Sequence, residues 1–428
     1  MNRTEAPVYA NIENIHFIEP RIKKLENGLE IAIFKTGSQE IVKIELIFEA
    51  GTIFQEKGLQ ASTTNSMLQE GSKRYTAEQI AEKLDFFGSH LSTTIDKDFA
   101  RITLFSLVKN LDEGLEILAD IVKNPTFPQA KLDRSLSRRL QSFKLDMEKV
   151  KDLSARKFIK ELFGSEHPYS QIAEETDFSN ISRDDLISFH KKQYQLSNCK
   201  MMVAGEFPEG TIEKIIDHFS LSDTKVETNK SLAFVQSNRT NTNFLVEKKD
   251  AMQSAVRLGK ILFNIRHKDY PKMQVLNTLL GGYFGSRLMK NIREDKGYTY
   301  GIGSALISQK ETGYFTIVSE VNAEFSKATL NEIFKEIDIL QTELVPKDEL
   351  EIVKSYMLGR LLRSVDGPFA LSETFLNIWL YNLDWDYYKQ YIKTIKNINS
   401  QDIKDLANRY LDKNSLLTVV SGPNNFSF

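Results

Sequence analysis

Two stretches of this chain, 217 positions apart, spell the same pattern. Residues 181–205 read ISRDDLISFHKKQYQLSNCKMMVAG, and residues 398–422 read INSQDIKDLANRYLDKNSLLTVVSG. Ile181 aligns with Ile398 and Gly205 with Gly422 without a gap, and between them Asp185 meets Asp402, Leu186 Ile403, Phe189 Leu406 and Lys192 Arg409. Each copy is a Ser- or Asn-capped helix, a polar turn, and an apolar strand ending in Gly. A second anchor, Phe127-Pro128 with Leu132 against Val345-Pro346 with Leu350, falls at an offset of 218. Two distant segments sharing nearly one offset point to a tandem copy of a unit of roughly 200 residues, more readily than to convergent patterning. The 428 residues therefore divide into two homologous domains, 1–219 and 240–428, with a linker at 220–239. The linker's centre is Asp223–Ser231, in a stretch rich in Ser, Thr, Asn and Lys.

Within the first unit, residues 42–49 predict a strand. Val42, Ile44, Leu46 and Phe48 share one face and Lys43, Glu45 and Glu49 the other. Residues 76–87 predict an amphipathic helix capped by Gly88, and residues 99–107 a second strand. Leu107, Leu111, Leu115, Leu118 and Val122 trace a helix face that stops before Asn124-Pro125. A single long polar helix is expected over 131–162. This order predicts an α+β fold, with an antiparallel sheet backed by helices in each domain.

Several chemistries are excluded. Lys plus Arg number 56 against 58 Asp plus Glu, and a net charge of -2 lacks the basic surplus of a nucleic-acid binder. The single cysteine, Cys199, permits neither an intramolecular disulfide nor a cysteine-based zinc site, and its apolar context suits a buried, inert thiol. The six histidines, 16, 90, 167, 190, 218 and 267, form no i, i+3 or i, i+4 pair. His167 belongs to a turn after a helix, and His190 and His218 read as ordinary helix residues. There is no phosphate-binding loop and no Gly-x-Ser-x-Gly elbow. No run approaches the ~18 to 20 apolar residues of a membrane-spanning helix. The first residues, Met1 to Pro7, lead into no apolar signal core, so the expected compartment is the cytoplasm, or the periplasm if a signal has been removed.

Residues 58–72, GLQASTTNSMLQEGS, follow a strand ending Phe48-Glu49-Ala50-Gly51 and precede Arg74-Tyr75-Thr76. This segment resembles the zinc-site helix of the pitrilysin/insulinase-type metallopeptidases, which include the mitochondrial processing peptidase. In active members that helix carries H-x-x-E-H, two histidine ligands and a glutamate base on one face. The matching positions here are Ala61, Thr64 and Asn65. The family's third ligand, a glutamate on the following long helix, falls near Gln141 or Ser142, in a stretch with no carboxylate between Asp133 and Asp146.

In the second half, Arg293-Glu294-Asp295-Lys296-Gly297-Tyr298-Thr299-Tyr300 resembles the family's R-E-x-x-G-x-x-Y stretch, and the preceding Gly281-Gly282-Tyr283-Phe284-Gly285-Ser286 fits its usual context. The resemblance implies that Arg293 binds a substrate carbonyl and that Tyr300 stabilises the oxyanion, with Gly281, Gly282 and Gly285 lining the substrate. The bland alternative leaves Arg293 at a helix end and Tyr300 packed at a strand edge. The resemblance further implies one half of a clam-shell chamber that binds no metal itself. Zinc is then expected in a homologous partner subunit of a heterodimer acting on peptides. A homodimer, or a non-catalytic scaffold, is the alternative.

Overall fold

The computed structural model describes residue 12, residues 14–220 and residues 242–423. The expected linker lies, apart from Ser220, outside the described residues. The first half contributes β1 (Arg21–Lys24), β2 (Glu30–Lys35), β3 (Ile41–Phe48), β4 (His90–Ile95), β5 (Ala100–Leu107) and β6 (Cys199–Gly205). The second contributes β7 (Asn243–Glu247), β8 (Gln253–Leu262), β9 (Thr299–Ser308), β10 (Gly313–Asn322) and β11 (Leu417–Gly422). The sheet orders are β1-β2-β6-β3-β5-β4 and β7-β11-β8-β10-β9. Without β1 the two orders superimpose strand for strand, and each sheet has one parallel pair, β2 with β6 and β7 with β11, among antiparallel neighbours.

The repeat extends to local chemistry. Ser182 caps the helix Arg183–Gln193 in a reciprocal capping box with Asp185, and Asn399 caps Ser400–Tyr410 in the same way with Asp402. Thr76 and Gln79 form a third box at the helix Ala77–Phe86, which Gly88, at φ +63°, ends. The helix foreseen from Leu107 begins at Leu111, because Leu107 closes β5.

The long polar helix is two helices, Gln129–Asp146 and Val150–Phe163, broken at an extended Lys149. The break has a packing cause. Phe158, Leu162 and Phe163, all fully buried, lie with Leu417 and Val419 of β11, so the second helix covers the sheet of the other half. The second half returns the exchange at the same offset of 218: its helix Pro368–Trp379 lies on β2 and β6 of the first sheet. There Leu371, Phe375, Leu376 and Trp379 pack on Ala32, Phe34, Met202 and Ala204, while Ile31, Ile33, Met201 and Val203 of the same strands face the first half's own helices. Period-two alternation thus feeds two cores from each strand.

This exchange also changes the expected charged face of β3. Lys43 and Glu45 are only 6% and 3% exposed, lying beneath the incoming helix rather than in water. The Lys43 ammonium lies 2.7 Å from Glu45 and 3.1 Å from Glu373 of that helix, and Arg101 lies 3.2 Å from Glu373. Two cations and two carboxylates balance, which is how such charges survive burial.

Candidate functional site

The helix Gln60–Met67 is entered through a tight corner. Gly58 sits where a Cβ would strike the Asp177 carboxylate, and Leu59 adopts φ +68°, a conformation costly for a branched residue. Ala61 is part of the first core. Thr64 is fully buried and its hydroxyl donates to the Gln60 carbonyl at 2.8 Å. Asn65 donates to the Thr94 carbonyl at 2.7 Å and accepts from the Tyr194 hydroxyl at 3.0 Å. From the helix Gln129–Asp146 the side chain that reaches across is Arg139, which donates to Thr63 at 2.7 Å and to Ser62 at 2.8 Å. Gln141 and Ser142 lie at exposed positions of that same helix.

These residues do not fit zinc. A methyl group, a hydroxyl bonded to its own backbone and an amide tied to β4 offer none of the imidazole or carboxylate donors the ion takes, and the nearby guanidinium repels it. Among the described residues, no three His, Cys, Asp or Glu side chains gather closely enough to hold a metal ion.

The second half holds the other segment in two π-helical turns, Thr278–Gly282 and Met289–Asp295, a geometry common at functional sites. Gly281 is needed for their packing, since a Cβ there would come within 2.7 Å of the Ser304 backbone nitrogen on β9. A Cβ on Gly282 would crowd Asn277 at 3.1 Å, and one on Gly285 the Tyr283 ring at 2.8 Å. The three glycines therefore pack the turn closely. Arg293 projects from the second π-turn, with its guanidinium carbon 4.7 Å from the Phe284 ring centre and its Nε donating to the Tyr300 carbonyl at 3.1 Å. Tyr300 is the second residue of β9, the sheet's edge strand, and is 93% exposed. It lines an open cleft of about 870 Å³ with Met252, Tyr298 and Phe325 from the second half and residues 148–151 from the first. Arg293, Tyr300 and the glycine turn are thus neighbours, whereas Ala61, Thr64 and Asn65 belong to the first half's own interior.

The sequence reading missed Phe284 and Arg139. An aromatic residue between Gly282 and Gly285 is a signal for the first, and Arg139 at the helix position facing Ser62 becomes visible only once the helices are docked.

Other titratable groups are structural. Burial pushes the Cys199 thiol well above its usual range and lowers His190 to about 4, its ring nitrogen 2.8 Å from the Val122 carbonyl. His167 caps the turn Pro168–Ser170, accepting from the Tyr169 amide at 3.1 Å. Where the halves meet, burial raises Asp98 to about 6 even though its carboxylate accepts from the Tyr169 hydroxyl at 2.6 Å and from the Lys310 amide at 2.9 Å.

A duplicated α+β fold of helix-backed sheets, with a helix at residues 60–67 that offers no metal donors, defines a chain of the metallopeptidase fold without that fold's metal ligands. The chain belongs to the insulinase family of peptidases, family M16: the model described as Insulinase (Peptidase family M16) matches residues 30–169, and that described as Peptidase M16 inactive domain matches residues 180–357. An uncharacterized zinc protease of Rickettsia bellii is 26% identical over 95% of this chain and 98% of that protein. A non-peptidase homolog, YmxG, of Helicobacter pylori is 25% identical over 88% of each. The fold matches that of a Pseudomonas fluorescens protein described as a peptidase M16 inactive domain, with TM-score 0.84 and 23% identity over 96% of this chain and all of that one.

Proposed function

We propose that this chain is the metal-free subunit of a two-subunit zinc peptidase, placing Arg293 and Tyr300 on a peptide held by a homologous, zinc-bearing partner. One observation carries the reading. Tyr300 is 93% exposed at the rim of a cleft, while Arg293 fixes its backbone from behind. A phenol packed at a strand edge would have neighbours covering its ring, and a residue 93% exposed has almost no such cover. An exposed hydroxyl on an anchored backbone is suited to donate to a carbonyl oxygen as it gains negative charge. The guanidinium, resting on Phe284, keeps Nη donors for a backbone carbonyl of the substrate. Zinc is assigned to the partner, since Ala61, Thr64 and Asn65 offer it no ligand. Cytoplasmic peptides are the proposed substrates.

The test is hydrolysis of a quenched fluorescent peptide by this chain mixed with a homologous subunit carrying intact H-x-x-E-H. Arg293→Ala and Tyr300→Phe should each lower kcat on the order of 10² to 10³, as for other oxyanion donors. Unchanged turnover in both variants would overturn the reading. A second reading, a non-catalytic scaffold, is favoured by the bond that already occupies Arg293 Nε. It requires a chain, homodimeric included, that recruits no peptidase.

A further inference from the structure

A second cavity, of about 360 Å³, lies among the helices Tyr270–Asn277, Lys347–Arg363, Pro368–Trp379 and Trp385–Asn397. Among the described residues its walls include five tyrosines, 270, 356, 387, 388 and 391, and a single charged residue, Arg360. Most of the other polar groups there are already committed. Gln274 donates to the Tyr270 hydroxyl at 2.9 Å, Thr278 to the Gln274 carbonyl at 2.8 Å, and Thr374 to the Ser364 carbonyl at 2.6 Å. The hydroxyls of Tyr387, Tyr388 and Tyr391 have no hydrogen-bond partner among the described residues, and Arg360 has no ion-pair partner among them. Burial first, and the neighbouring phenols second, hold all three hydroxyls above the usual tyrosine range, so they remain neutral donors.

We infer that this cavity binds a terminal carboxylate carried on an aromatic body. One guanidinium with no acid beside it among the described residues calls for one anion, and its planar fork matches a carboxylate in two parallel bonds. The phenol hydroxyls supply further donors to that anion, while their ring faces suit a flat apolar group. Among the described residues no carboxylate lines the cavity, so an ammonium on the ligand would go unpaired there. The amine must therefore be acylated, as in an N-acyl aromatic amino acid or the last residue of a peptide. The volume is near the lower end of ligand cavities, which suits one residue rather than several.

The inference is independent of the Arg293–Tyr300 reading. Calorimetric titration of the whole chain with N-acetyl-L-phenylalanine should give saturable binding, with the corresponding primary amide about tenfold weaker or more, the value of a charge-assisted bond. Arg360→Met should remove that difference, and Tyr391→Phe should weaken the acid severalfold. Arg293→Ala should leave the titration unchanged. If Arg360→Met melts early, Arg360→Lys keeps the charge without the fork and should show an intermediate loss. A hexapeptide ending in phenylalanine that binds as the free acid does, and loses binding as its C-terminal amide, identifies a peptide end as the source. Binding by the acylated amino acid alone identifies a free acid. Equal affinity for acid and amide, no saturation at roughly 10 mM, or an unaltered Arg360→Met titration would each overturn the inference.

Discussion

The buried charge cluster under the exchanged helix is the most quantitative handle on this fold. Lys43 and Glu45 have side chains 7% and 4% exposed, 2.7 Å apart, in an ion contact rather than a well-aligned hydrogen bond. Lys43→Met would leave Glu45 and Glu373 sharing Arg101 alone, at 3.7 and 3.2 Å, with one negative charge in excess beneath a helix. Removing one partner of a buried pair costs about 3 to 5 kcal/mol. Replacing Lys43 with Met and Glu45 with Leu together leaves the Arg101–Glu373 pair, which is balanced and more exposed. The double variant should therefore lie within about 1.5 kcal/mol of wild type, or above it. Guanidinium unfolding followed by tryptophan fluorescence is the direct assay. Both tryptophans of the chain, Trp379 and Trp385, lie in the cluster the helix forms with the first sheet. A single variant costing under about 1 kcal/mol, or a double variant as unstable as the sum of the two singles, would refute the account.

Three further outcomes are expected. Phe158→Ala should cost about 3 to 5 kcal/mol in the same denaturation experiment, because its ring is fully buried on the other half's sheet beside Gly259. Asp98 titrates near 6 when folded and near ~3.9 when unfolded, so between those values the folded state holds the extra proton and stability falls as pH rises. Measured against Asp98→Asn, wild type should therefore be favoured by up to about 3 kcal/mol more at pH 4 than at pH 7, and a flat difference would exclude the assignment. Elemental analysis of the purified chain should find zinc well below one equivalent, and stoichiometric zinc would contradict the conclusion that Ala61, Thr64 and Asn65 do not fit the ion.

The duplication was legible because capping residues and apolar strands are local signals. Ser182 with Asp185 and Asn399 with Asp402 read directly as paired helix starts, and their strands follow at fixed spacing. What could not be read is which sheet a helix covers. Met147–Lys149 contains neither Gly nor Pro, so the break that sends Phe158 to the second sheet has no local marker. For the same reason the burial of Lys43 and Glu45 was not legible: their cover comes from the helix that carries Glu373, 330 residues from Lys43. At the candidate site the spacing of Arg293 and Tyr300 was visible, but the exposure of the phenol and the ring beneath the guanidinium depend on π-turns that no periodicity announces. Tyr387, Tyr388 and Tyr391 stood together in the sequence, whereas their convergence with Tyr270 and Arg360 required the packed helices.

The reciprocal helices also set a schedule for synthesis. The first sheet is complete once Gly205 leaves the ribosome, yet Ala32, Phe34, Met202 and Ala204 on its outer face wait for Phe375 and Trp379, about 170 residues later. At 5 to 20 residues per second that interval is roughly 9 to 35 s. Throughout it the nascent half carries a bare apolar face, with Lys43 and Glu45 still in contact with water. This is the window in which a chaperone, or a second nascent chain, competes for the surface.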